Sequence, residues 1–191
     1  MTQVCLVGSD DVNLRYELLS RETARNALAT YDLQEPFENC LAIETVSLGA
    51  AVALLNDLNW YLVRFVDAAF VREPSIHGTE WLSRDLATAV RDDAVSPDET
   101  GRFLMVYGVV SDSEADTGEG DAGDEAAGEG SGDGDATADG APADDSPVKE
   151  SPPHLVEPML VTRTGDGIPE YDLRAVDDTL VVRVTEDEFG A

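Results

Sequence analysis

Residues 40–66, CLAIETVSLGAAVALLNDLNWYLVRFV, decide the reading of the fold, because they pass from a strand pattern to a helix pattern and back. Cys40 to Thr45 is a short apolar run that predicts a buried strand. Ser47 offers a hydroxyl N-cap to a helix reaching about Leu58, whose Leu48, Ala51, Val52, Leu55 and Leu58 share one apolar face. Ala50, Ala53 and Leu54 widen that face, so the helix is expected to pack on more than one side. Asn59 can stop it in a left-handed conformation, and the aromatic and β-branched run Trp60 to Val66 then predicts another strand. Strand, helix and strand joined by short loops make parallel pairing the expectation.

The same logic extends outward. Val4 to Val7, closed by Gly8, predicts a buried first strand, and Gly8-Ser9-Asp10-Asp11 a turn. Asn13 to Thr30 places Leu14, Leu18, Ala24, Ala27 and Leu28 near one helical face, with Glu17 and Arg21 as an i,i+4 pair. A helix is the first reading. A hairpin followed by a shorter helix capped by Ser20 is the rival, because Leu14, Tyr16 and Leu18 also alternate with charged residues. Thr79 is expected to cap a helix through Trp81, Leu82, Leu86, Ala89 and Val90. Ser96, Pro97 and Glu99 suggest a capping box limited to one turn by Gly101, and Phe103 to Val110 a fourth strand. Leu155–Thr162, Tyr171–Val176 and Thr179–Thr185 carry strand patterns, with turns around Gly165, Asp166 and Gly167 and at Asp177 and Asp178.

Charge sets the organisation of the chain. Forty acids face twelve basic residues, eleven arginines and the lone Lys149, for a formal net charge of −28. Residues 112–150 hold fourteen acids and one base, but the remainder still carries an excess of about −15, so the acidity belongs to the folded surface as well. Such self-repulsion is tolerable where molar salt shortens the screening length to about 3 Å. A guanidinium also competes less for water than an ammonium. The expected setting is a halophilic cytoplasm.

The tract 111–153 is too poor in large apolar residues to offset its ordering entropy and is expected to be a disordered acidic linker. The 38 residues 154–191 are few for an independent core. The predicted architecture is therefore one α/β (or α+β) domain. Residues 1–110 supply its first part and 154–191 complete it, as a mixed sheet flanked by helices with a C-terminal antiparallel strand meander.

Several functions are excluded by pattern. Phosphate binding needs clustered positive charge, so nucleic acid is not an expected partner. Met1 to Asp11 lacks a positive n-region and a long apolar core, and Leu48 to Leu55 is short of the roughly 20 residues of a membrane span. No secretory signal and no membrane association are expected. Cys5 and Cys40 show no C-x-x-C spacing and are expected to be buried reduced thiols. No Walker loop, G-x-G-x-x-G, H-E-x-x-H or G-x-S-x-G occurs. His77 and His154 lie in loops without partners at ligand spacing.

Two places could carry chemistry. Asp10 and Asp11 follow the first strand, and Asp67 would emerge on the same edge if the strands run parallel, so the three could hold Mg2+ or a phosphoryl group. Their competing role is local, with Asp10 or Asp11 capping the next helix. Arg64 shares a predicted strand face with Trp60, Leu62 and Val66, where a charge must be paired or exposed, and Glu44 on the neighbouring strand is its expected partner in a buried ion pair.

The order strand, paired acid, Leu-Arg-rich helix (Leu14, Arg15, Glu17, Leu18, Leu19), strand, alanine-rich helix, strand over residues 3–67 resembles the first half of a response-regulator receiver domain. The resemblance implies paired acids at Asp10 and Asp11 and a phosphoacceptor near Asp67. That family also uses a lysine after its fifth strand, and Lys149 lies in the acidic tract instead. In overall character the chain resembles the small uncharacterised acidic proteins of halophilic archaea, which implies a habitat and no activity. Two functions remain: a non-enzymatic adapter or regulatory module that binds a protein partner through an edge strand or an apolar patch, and a receiver-like domain that binds a divalent cation. No other cofactor is expected, and no catalytic set is evident.

Overall fold

The computed structural model describes residues 1–111, 151–165 and 167–190. The expectation of a disordered linker therefore falls almost wholly outside the described residues. The N-terminal elements are β1 (Thr2–Gly8), α1 (Leu14–Ser20), α2 (Glu22–Leu28), β2 (Leu33–Gln34), β3 (Cys40–Thr45), α3 (Leu48–Asp57) and α4 (Asn59–Phe65). Then follow β4 (Val66–Arg72), β5 (Trp81–Ser83), α5 (Arg84–Arg91), a 3₁₀ turn at Pro97–Glu99, β6 (Phe103–Val110), β7 (His154–Thr162), β8 (Asp178–Arg183) and α6 (Glu186–Phe189). The eight strands among the described residues form one sheet in the order β2-β3-β1-β4-β5-β8-β6-β7, with helices on it, as the mixed-sheet reading requires.

The expected parallel pairing of the first strands is corrected. β1 is antiparallel to both β3 and β4, so β3 and β4 run in the same direction on either side of it. The crossover through α3 and α4 does join two strands of one direction, but it passes over an antiparallel strand. A receiver domain's parallel first half is therefore not the arrangement found. Among the described residues the one parallel pair joins β5 to β8, where Trp81 faces Val182 and Leu82 faces Arg183.

Several element boundaries moved for identifiable reasons. Trp60 to Phe65 is helix, not strand: Leu58 stays right-handed and donates to the Leu54 carbonyl at 3.0 Å, so one helix runs into the next without a left-handed stop. Leu58 and Leu62 then fall one turn apart and are both buried. Asn13 to Thr30 is two short helices broken at Arg21, which is extended at φ −102° and ψ 123°. Ser83, not Thr79, caps α5 by accepting from the Leu86 N–H, because Trp81 and Leu82 are taken up by β5. The 3₁₀ turn has Pro97 at its start but no cap bond from the Ser96 side chain. Residues 171–176 form no strand; they lie over the sheet, with Tyr171 buried against Leu104, Val106 and Val161.

Alternation in the strands separates two faces. Val4, Leu6, Leu41, Ile43, Val71 and Leu82 point into the larger core beneath the helices, closed by Leu14, Leu18, Leu28, Val52, Leu55 and Leu86. Cys5, Cys40, Phe70, Trp81, Val182 and Val184 make the core of the opposite face, on which Phe189 of α6 packs. Two glycines permit close crossings. A Cβ on Gly8 would meet Asn39 Nδ2 at 2.6 Å, and one on Gly108 would meet Val176 Cγ1 at 2.5 Å.

Candidate functional site

Three places concentrate chemistry, and each draws on a different part of the chain. The first is buried charge. Glu80, just before β5, is 7% exposed, as is Arg183 at the end of β8. Arg183 Nε donates to Glu80 Oε2 at 2.6 Å, Arg183 Nη1 donates to Thr100 Oγ1 at 2.8 Å, and Arg163 Nη2 donates to Glu80 Oε1. Burial raises the Glu80 pKa, and the hydrogen bonds and charges of the two guanidiniums outweigh it, so the carboxyl sits below its ordinary value. Half-buried His77 accepts from the Glu80 N–H through Nδ1 at 3.0 Å. With one carboxylate held by two arginines, the cluster ties β5, β8, Thr100 and Arg163 together.

The second place is a cleft of about 320 Å³. Its cause is the length of β5. Three residues long between β4 and β8, it stops at Ser83, and the chain turns away into α5, leaving the first half of β4 without a neighbour on that side. Leu62 and Val66 line the notch together with Met105 and Tyr107, while Asp67 and Glu188 contribute carboxylates. Asp67 accepts from Ser9 Oγ. Glu188 Oε2 accepts from Ser83 Oγ at 2.7 Å and from the N–H and hydroxyl of Thr185, closing a capping box on α6. Burial, then the charges of Asp67 and Glu188, push the Tyr107 phenol up to about 12, so it remains a neutral donor.

The third place is an exposed face of α1 and α4. Trp60 and Val63 of α4 are 52% and 77% exposed, while Tyr16 of α1, 68% exposed, lines a separate recess with Arg15 and Leu19. Arg64 lies 4.5 Å from the Trp60 ring centroid, and Arg21 lies 5.8 Å from it and 5.2 Å from that of Phe65. Arg21 is also paired with Glu17 at 3.0 Å, whereas Arg64 makes no ion pair among the described residues.

These positions redistribute the residues singled out by sequence. Asp67 does come to the end of β1, but through the amino-terminal end of an antiparallel strand, with Gly8 opposite Val66. Asp10 is exposed and lines a separate recess with Asn39, Glu38 and His154, while Asp11 is exposed in the turn. Among the described residues no three His, Cys, Asp or Glu side chains are grouped to hold a metal ion. The expected Arg64–Glu44 buried pair is corrected: both residues are exposed, because Arg64 stands on a helix and its register against β3 does not exist. Cys5 and Cys40 are buried free thiols, diagonal neighbours on β1 and β3, and the Cys5 pKa is raised by its hydrogen bond to Cys40 and by burial. Glu80, Arg163 and Arg183 were missed because the pairs span 83 and 103 residues. The available signal was Arg183 itself, placed inside the apolar run Leu180 to Val184.

The chain belongs to DUF5804, a family of unknown function whose family model matches residues 2–109. No curated protein and no solved structure matches it. The matched segment contains the whole Arg21–Trp60–Arg64 cluster and one wall of the cleft, Asp67, Ser83 and Tyr107; Glu188, Arg163 and Arg183 lie beyond it. No described helix is long and apolar enough to cross a membrane.

Proposed function

We propose that this chain is a non-enzymatic binding module of a halophilic cytoplasm, and that it docks a protein partner on the α1–α4 face. The observation that carries the reading is Trp60, half-exposed beneath two guanidiniums on a chain whose net charge is −28. Tryptophan, tyrosine and arginine are the residues that concentrate binding energy at interfaces, and Val63 adds an aliphatic contact beside them. An arginine stacked on an aromatic ring is already partly ordered, so less side-chain entropy is lost on docking. The partner fitting this face is a protein surface with an apolar pocket rimmed by carboxylates. A nucleic acid would be repelled by the rest of the chain. Apolar and stacked contacts also survive molar salt that screens exposed charge pairs.

The test is co-purification from native cytoplasm in molar potassium chloride, comparing the natural chain with a Trp60→Ala, Arg64→Ala variant of matched melting temperature. A stoichiometric protein retained by the natural chain and lost by the variant supports the reading. Equal retention by both contradicts it.

A further inference from the structure

We infer that the notch between β4 and β8 binds a small organic cation, a protonated amine on a short apolar or aromatic body, with its charge between Asp67 and Glu188 and its body against Met105 and Tyr107. This site adjoins the docking face, since Val63 of α4 also lines the notch, but the residues assigned to the ligand are not those of the docking proposal. Its volume, about 320 Å³, lies at the small end of ligand pockets.

The ligand class follows from what the walls offer. Three carboxylates, Asp67, Asp85 and Glu188, line the notch against one guanidinium. That guanidinium, of Arg84, is engaged by Asn59 Oδ1 at 2.8 Å. The balance disfavours an anion. A bare metal ion is disfavoured too, since no described group of three ligating side chains exists and much of the wall is aliphatic. An inorganic cation would keep its water and gain nothing from Leu62, Val66, Met105 and Val182. A protonated amine on a carbon body supplies charge to the carboxylates and apolar surface to the floor, and the Tyr107 ring is a cation–π partner.

The two carboxylates are also held in place before any ligand arrives. Ser9 fixes Asp67 Oδ1. The three bonds that Ser83 and Thr185 donate to Glu188 all fall on Oε2, and Oε1 accepts nothing among the described residues. A carboxylate oriented by its own hydrogen bonds loses little freedom on binding. Capping α6 would explain the bonds of Glu188 alone. It does not account for Asp67, on a distant strand, which lines the same notch as Tyr107 and Glu188.

The experiment is an NMR titration of the full chain in molar potassium chloride with phenethylamine, agmatine and spermidine, and with 2-phenylethanol as the neutral counterpart of the first. At least one amine should give saturable shifts at Ser83 and Tyr107, and phenethylamine should bind roughly tenfold tighter than 2-phenylethanol. Asp67→Asn with Glu188→Gln should remove that preference. Both amides can still accept the hydroxyl bonds, and Gln serves in a capping box, so the fold is kept. No saturable binding by any amine, equal binding of amine and alcohol, or a preference that survives the double variant would each overturn the assignment.

Discussion

The two arginine settings of this molecule are opposites. Arg183 is buried at the β5–β8 junction with Glu80 and Thr100, while Arg64 stands on an exposed helix over Trp60. In the first, every guanidinium contact joins segments far apart in the chain, so the cluster specifies tertiary structure. In the second, Arg64 and Trp60 are four residues apart on one helix, and the fold would lose little without their contact. A desolvated charge must be satisfied or it destabilises the protein, whereas an exposed one is free to serve a partner. On a chain with only eleven arginines, the difference separates a structural arginine from one exposed for the proposed docking.

Truncation should expose that contrast most strongly. Arg183→Ala leaves the Glu80 carboxylate buried with one partner fewer, and a loss of about 3–5 kcal/mol is expected in chemical denaturation. Arg64→Ala should stay within about 0.5 kcal/mol, as surface substitutions do. Equal losses would erase the distinction. Next in size is Gly108→Ala, which sets a methyl against Val176, Val156 and Tyr171 at 2.5 to 3.0 Å. A cost of about 1–3 kcal/mol from overpacking is expected, measurable as a lower denaturation midpoint.

Acid sharpens the comparison further. The folded Glu80 pKa is below its ordinary 4.5, so its contribution is complete above that value and is lost as pH falls through the lowered one. The natural chain should therefore lose stability more steeply than Glu80→Gln between about pH 5 and pH 3 in urea titrations. Parallel slopes would mean that the carboxylate is not differentially stabilised. Removing salt should act more diffusely: below about 0.5 M the melting temperature should fall as screening of the acidic surface weakens. A melting temperature constant from roughly 0.1 to 3 M would contradict the halophilic setting.

What could be read from sequence followed from local rules. β1, β3 and β6 were visible as apolar runs, and the Ser47 cap of α3 was visible from residue type and position. Trp60 to Phe65 was misread because its side chains favour strands when taken alone. Leu58 and Leu62, one turn apart, bury into the helical layer and outweigh that preference. Strand direction was not legible either, since crossover length does not say that β1 will lie between β3 and β4. The site residues divide the same way. Asp67 was found as the residue following a strand over Trp60 to Val66; most of that stretch is helix, and Asp67 stands instead near the start of β4. Arg64 was found as an unplaced charge in an apolar run, and only its helix showed that it faces outward. Glu188 and Tyr107 could not be found, because the notch that joins them exists only where β5 stops short.

The central claim, that the α4 face is a docking surface, is tested most directly by a photo-crosslinking side chain at Val63, with the same group at exposed Leu160 of β7 as control. Irradiation in native cytoplasm should give one discrete adduct with another protein from position 63, abolished by Trp60→Ala, and none from position 160. The same adducts from both positions, or none from position 63, would contradict it.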